Sequence, residues 1–379
     1  MRLEKIDLYE VFLLRPDAFS VWNDPDVSER LSWYRSVMTN EKPAKFLIAK
    51  RIESPINPYE VNNYDYLWKI HDKLSGEFKT IWKKIKEGEL SLEEIPVPKH
   101  SFLDIKIVLA KKNLEKCRLC EWRCGAERIK GVPGVCMMDK DCIVHTYFHH
   151  MGEEAPLVPS GTIFYGGCNL KCAYCQNYDI SQLYPRDGIK VTPKELAEIQ
   201  KKLRLTGARN INHVGGEPTP HIPFIIESLK YLDVNVPQLW NSNMYLSLES
   251  MKLIKDLIDI WLPDFKYGNN ECAFRYSKIR RYWEVVTRNL KIAYENGDMI
   301  IRHLVLPNHI ECCTRKILEW IAENTPRALV NIMDQYRPEH IVASHPEKYP
   351  EIARRLKREE IEKAYSIAEE LGLVYKPVS

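Results

Sequence analysis

The stretch YGGCNLKCAYCQN, residues 165–177, places three cysteines within eight positions: Cys168, Cys172 and Cys175. Three residues separate the first pair, two separate the second, and no further cysteine or histidine lies beside them. A structural zinc site normally takes four protein ligands. A [4Fe–4S] cluster held by only three thiolates keeps one iron open for another ligand. The missing fourth ligand therefore indicates a metal site that is open for chemistry.

The composition of the whole chain narrows the classes of protein. A chain of 379 residues with 45% hydrophobic content predicts one large domain and at least one smaller one. The formal charge of +3 gives no strong case for nucleic acid or a membrane as a partner. The N-terminal apolar run is too short for a signal peptide, and we expect a cytoplasmic protein. Eight of the eleven cysteines lie between Cys117 and Cys175, which in that compartment favours metal or redox chemistry over disulfides.

From residue 161 onward, short β-branched or aromatic runs alternate with longer amphipathic runs, which is typical of βα units around a parallel sheet. The predicted strands are 162–166, 210–214, 238–242, 258–266, 299–306 and 329–334. No glycine-rich dinucleotide fingerprint follows the first of them, which favours an incomplete barrel over an open doubly wound sheet. We predict an α/β fold with a partial (β/α)6 TIM-like barrel.

Four regions are predicted along the chain. They are a mainly helical region at 1–110, a cysteine-rich metal-binding segment at 111–160, the barrel at 161–340 and a helical extension at 341–379. The helical region includes an amphipathic helix at 66–88, ending at Gly88, and a proline-bearing linker follows before a short helix that ends at Cys117.

The cysteine spacing, with Tyr174 just before the last cysteine, matches the CxxxCx(aromatic)C signature of the radical S-adenosylmethionine (SAM) superfamily. The wider segment 149–181, HHMGEEAPLVPSGTIFYGGCNLKCAYCQNYDIS, resembles the group of proteins similar to pyruvate formate-lyase activating enzyme. The resemblance covers roughly residues 117–345. It implies a [4Fe–4S] cluster on Cys168, Cys172 and Cys175, whose unligated iron chelates the amino and carboxylate groups of SAM.

The resemblance also implies cofactor-binding residues, and each of them falls at or after the carboxyl end of a predicted strand, where barrel enzymes place their sites. The segment GGEP corresponds to the one that holds the methionyl amine, and Asp264 and Lys266 match a DxK pair near the cofactor. Asn241 stands where activating enzymes carry an aspartate. The predicted cofactor-binding set is Tyr174, Gly215, Gly216, Glu217, Asn243, Asp264, Lys266 and Arg302.

A second group of thiols precedes the motif: Cys117, Cys120, Cys124 and Cys136. Four thiols can close a tetrahedral zinc site, or they can hold a second iron–sulfur cluster, and the sequence leaves both readings open. Cys142 is interpreted as a plain thiol. Cys272, Cys312 and Cys313 are interpreted as ordinary buried thiols.

The predicted function is that of a radical SAM enzyme, in which a 5′-deoxyadenosyl radical abstracts hydrogen from a substrate. The resemblance suggests a glycine of a partner protein as the hydrogen donor, and an electron donor of the ferredoxin or flavodoxin type. The alternatives are a radical SAM enzyme that acts on a small molecule, lipid or nucleotide, and a non-catalytic metal-binding scaffold. No catalytic residue that contacts the substrate is predicted. The polar residues before the first strand, Glu153 and Glu154 among them, are interpreted mainly as solvated.

Overall fold

A sheet of eight strands forms the centre of the protein. The computed structural model describes residues 5–379, so the first four residues of the predicted region 1–110 lie outside the described part. The strands are β1 (Cys142–His150), β2 (Ser160–Tyr165), β3 (Ile189–Val191), β4 (Ile211–Gly215), β5 (Gln238–Ser242), β6 (Ile260–Pro263), β7 (Asp298–Leu304) and β8 (Leu329–Met333). Their order across the sheet is β3-β1-β2-β4-β5-β6-β7-β8.

The six strands β2 and β4 to β8 pair in parallel, which confirms the α/β fold and the partial barrel. All six predicted strands are present. β5 occupies the predicted positions 238–242, whereas β6 is shorter than the predicted 258–266. The β6 ladder ends at Pro263, which has no N–H to donate, and beyond it Asp264 forms only an isolated bridge with Arg302.

Two strands not predicted from the sequence, β1 and β3, extend the sheet on one side. β1 pairs antiparallel with both β2 and β3. Most of β1 is only partly buried and carries histidine, threonine and aromatic residues, so it lacks the apolar run of the central strands. β3 has only three residues. The predicted cysteine-rich segment 111–160 therefore contributes a strand to the barrel sheet.

Fifteen α-helices surround this sheet in the described residues. They are α1 (Leu8–Leu14), α2 (Asp17–Ser20), α3 (Pro25–Arg30), α4 (Ser32–Met38), α5 (Lys45–Ala49), α6 (Tyr64–Glu87), α7 (Phe102–Lys112), α8 (Pro193–Leu205), α9 (Ile222–Tyr231), α10 (Leu248–Ile254), α11 (Asn270–Ser277), α12 (Tyr282–Glu295), α13 (Lys316–Asn324), α14 (His340–Ser344) and α15 (Arg358–Glu370). Two π-helical turns, Asp179–Leu183 and Ile310–Arg315, follow the cysteine loop and β7.

The ends of these helices follow local capping chemistry. α8 begins after Thr192, whose side chain accepts from the backbone N–H of Glu195, while the Glu195 carboxylate accepts from the N–H of Thr192. α6 ends before Gly88, which has a positive φ of 79°. The sequence predicted that the short helix α7 ends at Cys117, but it ends at Lys112. A loop then leads to Cys117, the first of the four cysteines that precede the motif.

The helical region before residue 110 closes the amino end of the barrel. Trp33 donates its indole N–H to Asp259, 2.9 Å away, just before β6. The backbone N–H of Tyr34 donates to Asp298 at the start of β7. Lys45 is fully buried and donates to the carbonyls of Lys255 and Ile258 at 2.8 and 3.0 Å. With this end closed, the carboxyl ends of the strands remain as the accessible face of the sheet.

Candidate functional site

A cavity of about 260 Å³ lies at the carboxyl ends of the parallel strands. The loops after β2, β4, β5 and β6, together with β7 and the segment after β8, all contribute to its lining. The lining includes every residue that was predicted to hold the [4Fe–4S] cluster of the motif or to bind SAM: Cys168, Cys172, Tyr174, Cys175, Gly215, Gly216, Glu217, Asn243, Asp264, Lys266 and Arg302. Their roles remain predictions, but the fold brings them to one place.

The loop that carries the three thiols is held by the end of α11. The backbone N–H groups of Lys171 and Ala173 donate to the carbonyls of Ser277 and Tyr276, at 3.1 and 2.7 Å. The Ser277 hydroxyl donates to the Cys172 sulfur at 3.0 Å. These bonds fix the backbone of the loop and the direction of one thiol.

Burial acts against free thiolates in this loop. It raises the pKa of Cys172 to about 11 and that of Cys168 well above its ordinary value, with the Glu217 carboxylate adding to the shift at Cys168. Cations that replace the thiol protons remove this penalty, because they neutralise the buried charge. The thiols therefore suit a metal cluster better than a free anionic role.

Two glycines are required where β4 ends against the cysteine loop. A Cβ on Gly216 would lie 2.2 Å from the carbonyl oxygen of Gly167. A Cβ on Gly215, which has a φ of 112°, would lie 2.2 Å from the backbone nitrogen of Tyr165. The glycines thus allow the ends of β2 and β4 to approach closely beneath the cavity.

Glu217 is 2% exposed and is held by its neighbours. One carboxylate oxygen, Oε1, accepts from the hydroxyl of Ser242 at 2.6 Å and from both the N–H and the hydroxyl of Thr219. Oε2 accepts from the N–H of Asn243 at 3.0 Å, and this leaves it with unused accepting capacity. Burial raises the pKa of Glu217, so a cationic ligand next to this carboxylate would relieve a real cost.

Asp264 and Lys266 form an ion pair at the end of β6. The Lys266 ammonium donates to the Asp264 carboxylate at 2.7 Å. Burial opposes the charge on Lys266, but the Asp264 carboxylate raises the pKa of Lys266 above its ordinary value. Both side chains line the cavity as a fixed pair of opposite charges.

Arg302 lines the same cavity, but its guanidinium is paired within the chain. It donates two bonds to Glu154, at 2.6 and 2.7 Å, and a further bond to Glu153. Both glutamates are buried, and they accept in addition from the amides of Asn331 and Asn212. Arg302 lowers the pKa of Glu154 in spite of the burial of that carboxyl. The interpretation of the two glutamates as solvated loop residues is therefore wrong, because each is fixed in a buried ionic network.

Two asparagines, one near the end of β5 and one just after it, differ in their hydrogen-bond partners. The Asn243 amide donates to the side-chain oxygen of Asn169 at 2.8 Å and lies 3.7 Å from the Cys168 sulfur. Asn241 also lines the cavity, and its buried amide nitrogen has no hydrogen-bond partner among residues 5–379. An unsatisfied buried donor is costly. A bound ligand that accepts a hydrogen bond there would satisfy it.

Tyr174 is linked to the cluster thiols through a chain of hydroxyl groups. Its hydroxyl lies 2.7 Å from that of Tyr267, which lies 2.6 Å from the hydroxyl of Ser277, the donor to Cys172. The sequence pattern identified Tyr174 but missed Tyr267 and Ser277, which come from distant segments.

The four upstream thiols Cys117, Cys120, Cys124 and Cys136 surround a small neighbouring pocket. Arg128 lines it as well, is fully buried, and has one guanidinium nitrogen without a partner in the described residues. A positive group there suits a metal centre with several thiolates, because such a centre carries net negative charge. The residues fit either a zinc ion or an iron–sulfur cluster.

Asn169 lies between the two groups of thiols. It follows Cys168 in the chain, lines the upstream pocket, and its carbonyl oxygen accepts from the indole of Trp122 at 2.7 Å. The backbone N–H of Ser247, after β5, donates to the carbonyl of Leu119 at 3.1 Å. The upstream segment is thus docked on the carboxyl end of the barrel, next to the larger cavity.

Sequence comparison shows which known proteins this chain is similar to. Residues 162–321 match the family model described as the Radical SAM superfamily. Uncharacterized protein MJ0674 of Methanocaldococcus jannaschii is 44% identical over 353 residues, which cover 91% of this chain and 99% of that protein. A second protein of that organism, uncharacterized protein MJ0808, is 27% identical over 220 residues, 52% of this chain and 62% of that protein.

Among solved structures, SuiB of Streptococcus suis bound to the precursor peptide SuiA has a TM-score of 0.40 and 16% identity. That match covers 56% of this chain and 46% of the SuiB chain.

Within residues 5–379, no helix has the length and apolar character needed to cross a membrane.

Proposed function

We propose that this chain, which belongs to the radical SAM superfamily, reductively cleaves SAM in the cavity at the carboxyl end of its barrel and uses the product to abstract hydrogen from a substrate. The family implies a [4Fe–4S] cluster and SAM. When both are bound, they supply one-electron cleavage of the carbon–sulfur bond of SAM, which yields methionine and a 5′-deoxyadenosyl radical.

The observation that carries the proposal is the set of three thiols facing one cavity together with polar groups that have unused bonding capacity. Cys168, Cys172 and Cys175 would hold the cluster and leave one iron without a protein ligand. The spare lone pair of Glu217 suits the ammonium group of SAM, and the unpaired amide of Asn241 suits an acceptor on the same molecule. The enclosing loops would keep water from the reacting atoms.

The hydrogen donor is proposed to be a glycine of a partner protein. Its support is the resemblance of segment 149–181 to activating enzymes. Glu153 and Glu154 belong to that segment and pair with Arg302, so the resemblance extends to residues that shape the site. A small molecule, lipid or nucleotide is the alternative substrate. Transfer of deuterium from a labelled candidate donor into 5′-deoxyadenosine would distinguish these substrates from a partner protein.

We further propose that the upstream thiols hold a second iron–sulfur cluster, which passes electrons from a donor of the ferredoxin or flavodoxin type. The support is the position of Asn169, which lines the upstream pocket and accepts a hydrogen bond from Asn243, a residue of the cavity lining. Replacing Cys120 with alanine is expected to lower the iron content by one cluster and to slow reduction of the remaining one. Loss of zinc with unchanged iron would instead assign a zinc ion to these thiols.

The main test uses anaerobically reconstituted protein, a chemical reductant and SAM, with 5′-deoxyadenosine measured by chromatography. Wild type is expected to release 5′-deoxyadenosine, and Cys172→Ala to release none. Cys142→Ala is the matched control, because Cys142 is a buried thiol that lines neither the cavity nor the upstream pocket. Equal release by Cys172→Ala and wild type would refute the proposal. Deuterium transfer into 5′-deoxyadenosine from labelled candidate donors then identifies the substrate class.

A further inference from the structure

A third group of metal-ligating side chains lies outside both thiol groups described above. Cys272, His309 and Cys312 each offer a ligand atom, and these atoms all lie within 4.8 Å of one another. In residues 5–379 this is the only set of three or more cysteine, histidine or acidic side chains with that spacing. The interpretation of Cys272 and Cys312 as ordinary buried thiols does not account for this convergence.

The three residues come from two elements that the fold brings together. Cys272 lies in the first turn of α11, whereas His309 and Cys312 lie at the π-helical turn after β7. The backbone packing between these elements is close: a Cβ on Gly268 would lie 2.7 Å from the Cα of Cys313. The Asn269 amide donates to the carbonyl of Cys312 at 3.0 Å. The ligand atoms are thus held by fixed backbone on both sides.

The hydrogen bonds of His309 prepare one ring nitrogen for a metal. Nδ1 lies 2.6 Å from the carbonyl oxygen of Pro307, which can only accept, so Nδ1 carries the proton and Nε2 presents a lone pair. A backbone carbonyl that accepts from the second ring nitrogen is the usual support of a metal-binding histidine.

The nearest hydroxyl has one proton for two acceptors. The Tyr276 hydroxyl lies 3.0 Å from Nε2 and 2.6 Å from a carboxylate oxygen of Glu351, so it satisfies that lone pair only in part. Glu351 in turn is paired with Arg275. The remaining neighbours of Nε2 are the thiols, and a cation shared with them would use its lone pair.

We propose that Cys272, His309 and Cys312 bind a zinc ion. Two thiolates and one imidazole are a donor set that zinc prefers, at bond lengths of about 2.3 Å to sulfur and about 2.0–2.1 Å to nitrogen. Those bonds place tetrahedral ligand atoms roughly 3.5–3.8 Å apart, so the group needs only a small contraction. The Cys313 sulfur lies 3.8 Å from that of Cys312 and would complete four ligands, but it lies outside the mutually close set and would have to move further than the other three.

The ion would act on the cofactor cavity through α11. Cys272 lies at the start of this helix, and its last residues, Tyr276 and Ser277, hold the loop of Cys172. A zinc ion would tie the start of α11 to the segment after β7 and so fix the position of its end. Its role is structural, and it belongs to neither of the thiol groups at the cavity.

Zinc content measured by mass spectrometry tests the site. The full-length protein is prepared with stoichiometric zinc, and each variant is checked for folding by circular dichroism. Cys272→Ser and His309→Gln are each expected to lose about one zinc per chain relative to wild type. The matched control Cys142→Ala is expected to lose none. Unchanged zinc in both ligand variants, or an equal loss in the control, would overturn the proposal.

A measurement on the wild type makes the test independent of variant folding. Crystals grown with zinc are expected to give an anomalous peak at the zinc absorption edge between Cys272, His309 and Cys312. The absence of a peak there would refute the site. Both readouts measure zinc and not SAM cleavage, so their outcome is separate from that of the proposed radical chemistry.

Discussion

The two ends of the barrel use polar residues in different ways. At the amino end, buried charges are satisfied by the chain itself: Lys45 donates to backbone carbonyls, and Asp259 accepts from Trp33, Lys45 and Gln238. At the carboxyl end, Glu217 has a spare lone pair and Asn241 an unpaired amide. The buried charges of the amino end thus stabilise the fold, whereas the carboxyl end retains bonding capacity that a ligand can use.

A substitution at the amino end of the barrel should lower stability the most. Lys45→Met leaves buried carbonyls without a donor and the Asp259 carboxylate without its nearest buried cation, and should lower the free energy of unfolding by about 3 kcal/mol or more. Chemical denaturation measures the change. Lys83→Met is the control, because Lys83 is 73% exposed and its pair with Glu87 should contribute less than about 0.5 kcal/mol. An equal effect of the two substitutions would contradict the account of this end.

Overpacking at the carboxyl end of the barrel should also lower stability. Gly216→Ala places a methyl group against the carbonyl of Gly167, and this overpacking should cost about 1–3 kcal/mol of stability and weaken SAM binding. Thermal unfolding and equilibrium dialysis with SAM measure the two effects. In the control Gly76→Ala, nothing lies within 4 Å of the new methyl group, so the same substitution in α6 should stabilise the protein slightly.

Glu217→Gln removes the charge of the buried carboxylate with little change in the shape of the side chain. Since Glu217 is proposed to accept from the SAM ammonium, the dissociation constant for SAM should rise about 10- to 100-fold. Glu198→Gln, on the exposed face of α8, should leave it unchanged. A normal affinity for SAM in the folded Glu217→Gln variant would exclude this residue from the binding site.

The smallest effect concerns the unpaired amide. Asn241→Ala removes a donor that has no partner in the described part of the chain, so stability should change by less than about 1 kcal/mol. Affinity for SAM should fall about 3- to 10-fold if a ligand atom accepts from this amide. A large loss of stability without any loss of affinity would mean that the amide serves the fold and not the ligand.

Much of this site follows from the sequence because its residues lie on consecutive βα units. The strand pattern places Cys168, Glu217, Asn243 and Asp264 after successive parallel strands, and parallel strands end at one edge. The local spacing of the three thiols predicted a site with an open position. The bounds of β5 and the start of α8 were also predictable from local patterns, whereas β6 ends earlier than predicted.

Contacts between distant segments could not be predicted in this way. The pairing of Arg302 with Glu153 and Glu154 joins β7 to the loop after β1, a strand that the apolar pattern did not reveal. Cys272 and His309 meet only because α11 packs beside the segment after β7. Such contacts depend on how helices and strands pack together, and the local propensities of the sequence do not predict them.

Electron–nuclear double resonance on the reduced, cluster-loaded protein, with SAM labelled in its carboxylate and amino groups, measures whether the cluster binds SAM. Couplings from both labels to the cluster are expected, because Cys168, Cys172 and Cys175 leave one iron for SAM. These couplings should persist in Cys120→Ala, in which the upstream thiols are disrupted. Absence of coupling from either label in wild-type protein with SAM bound would contradict the central claim.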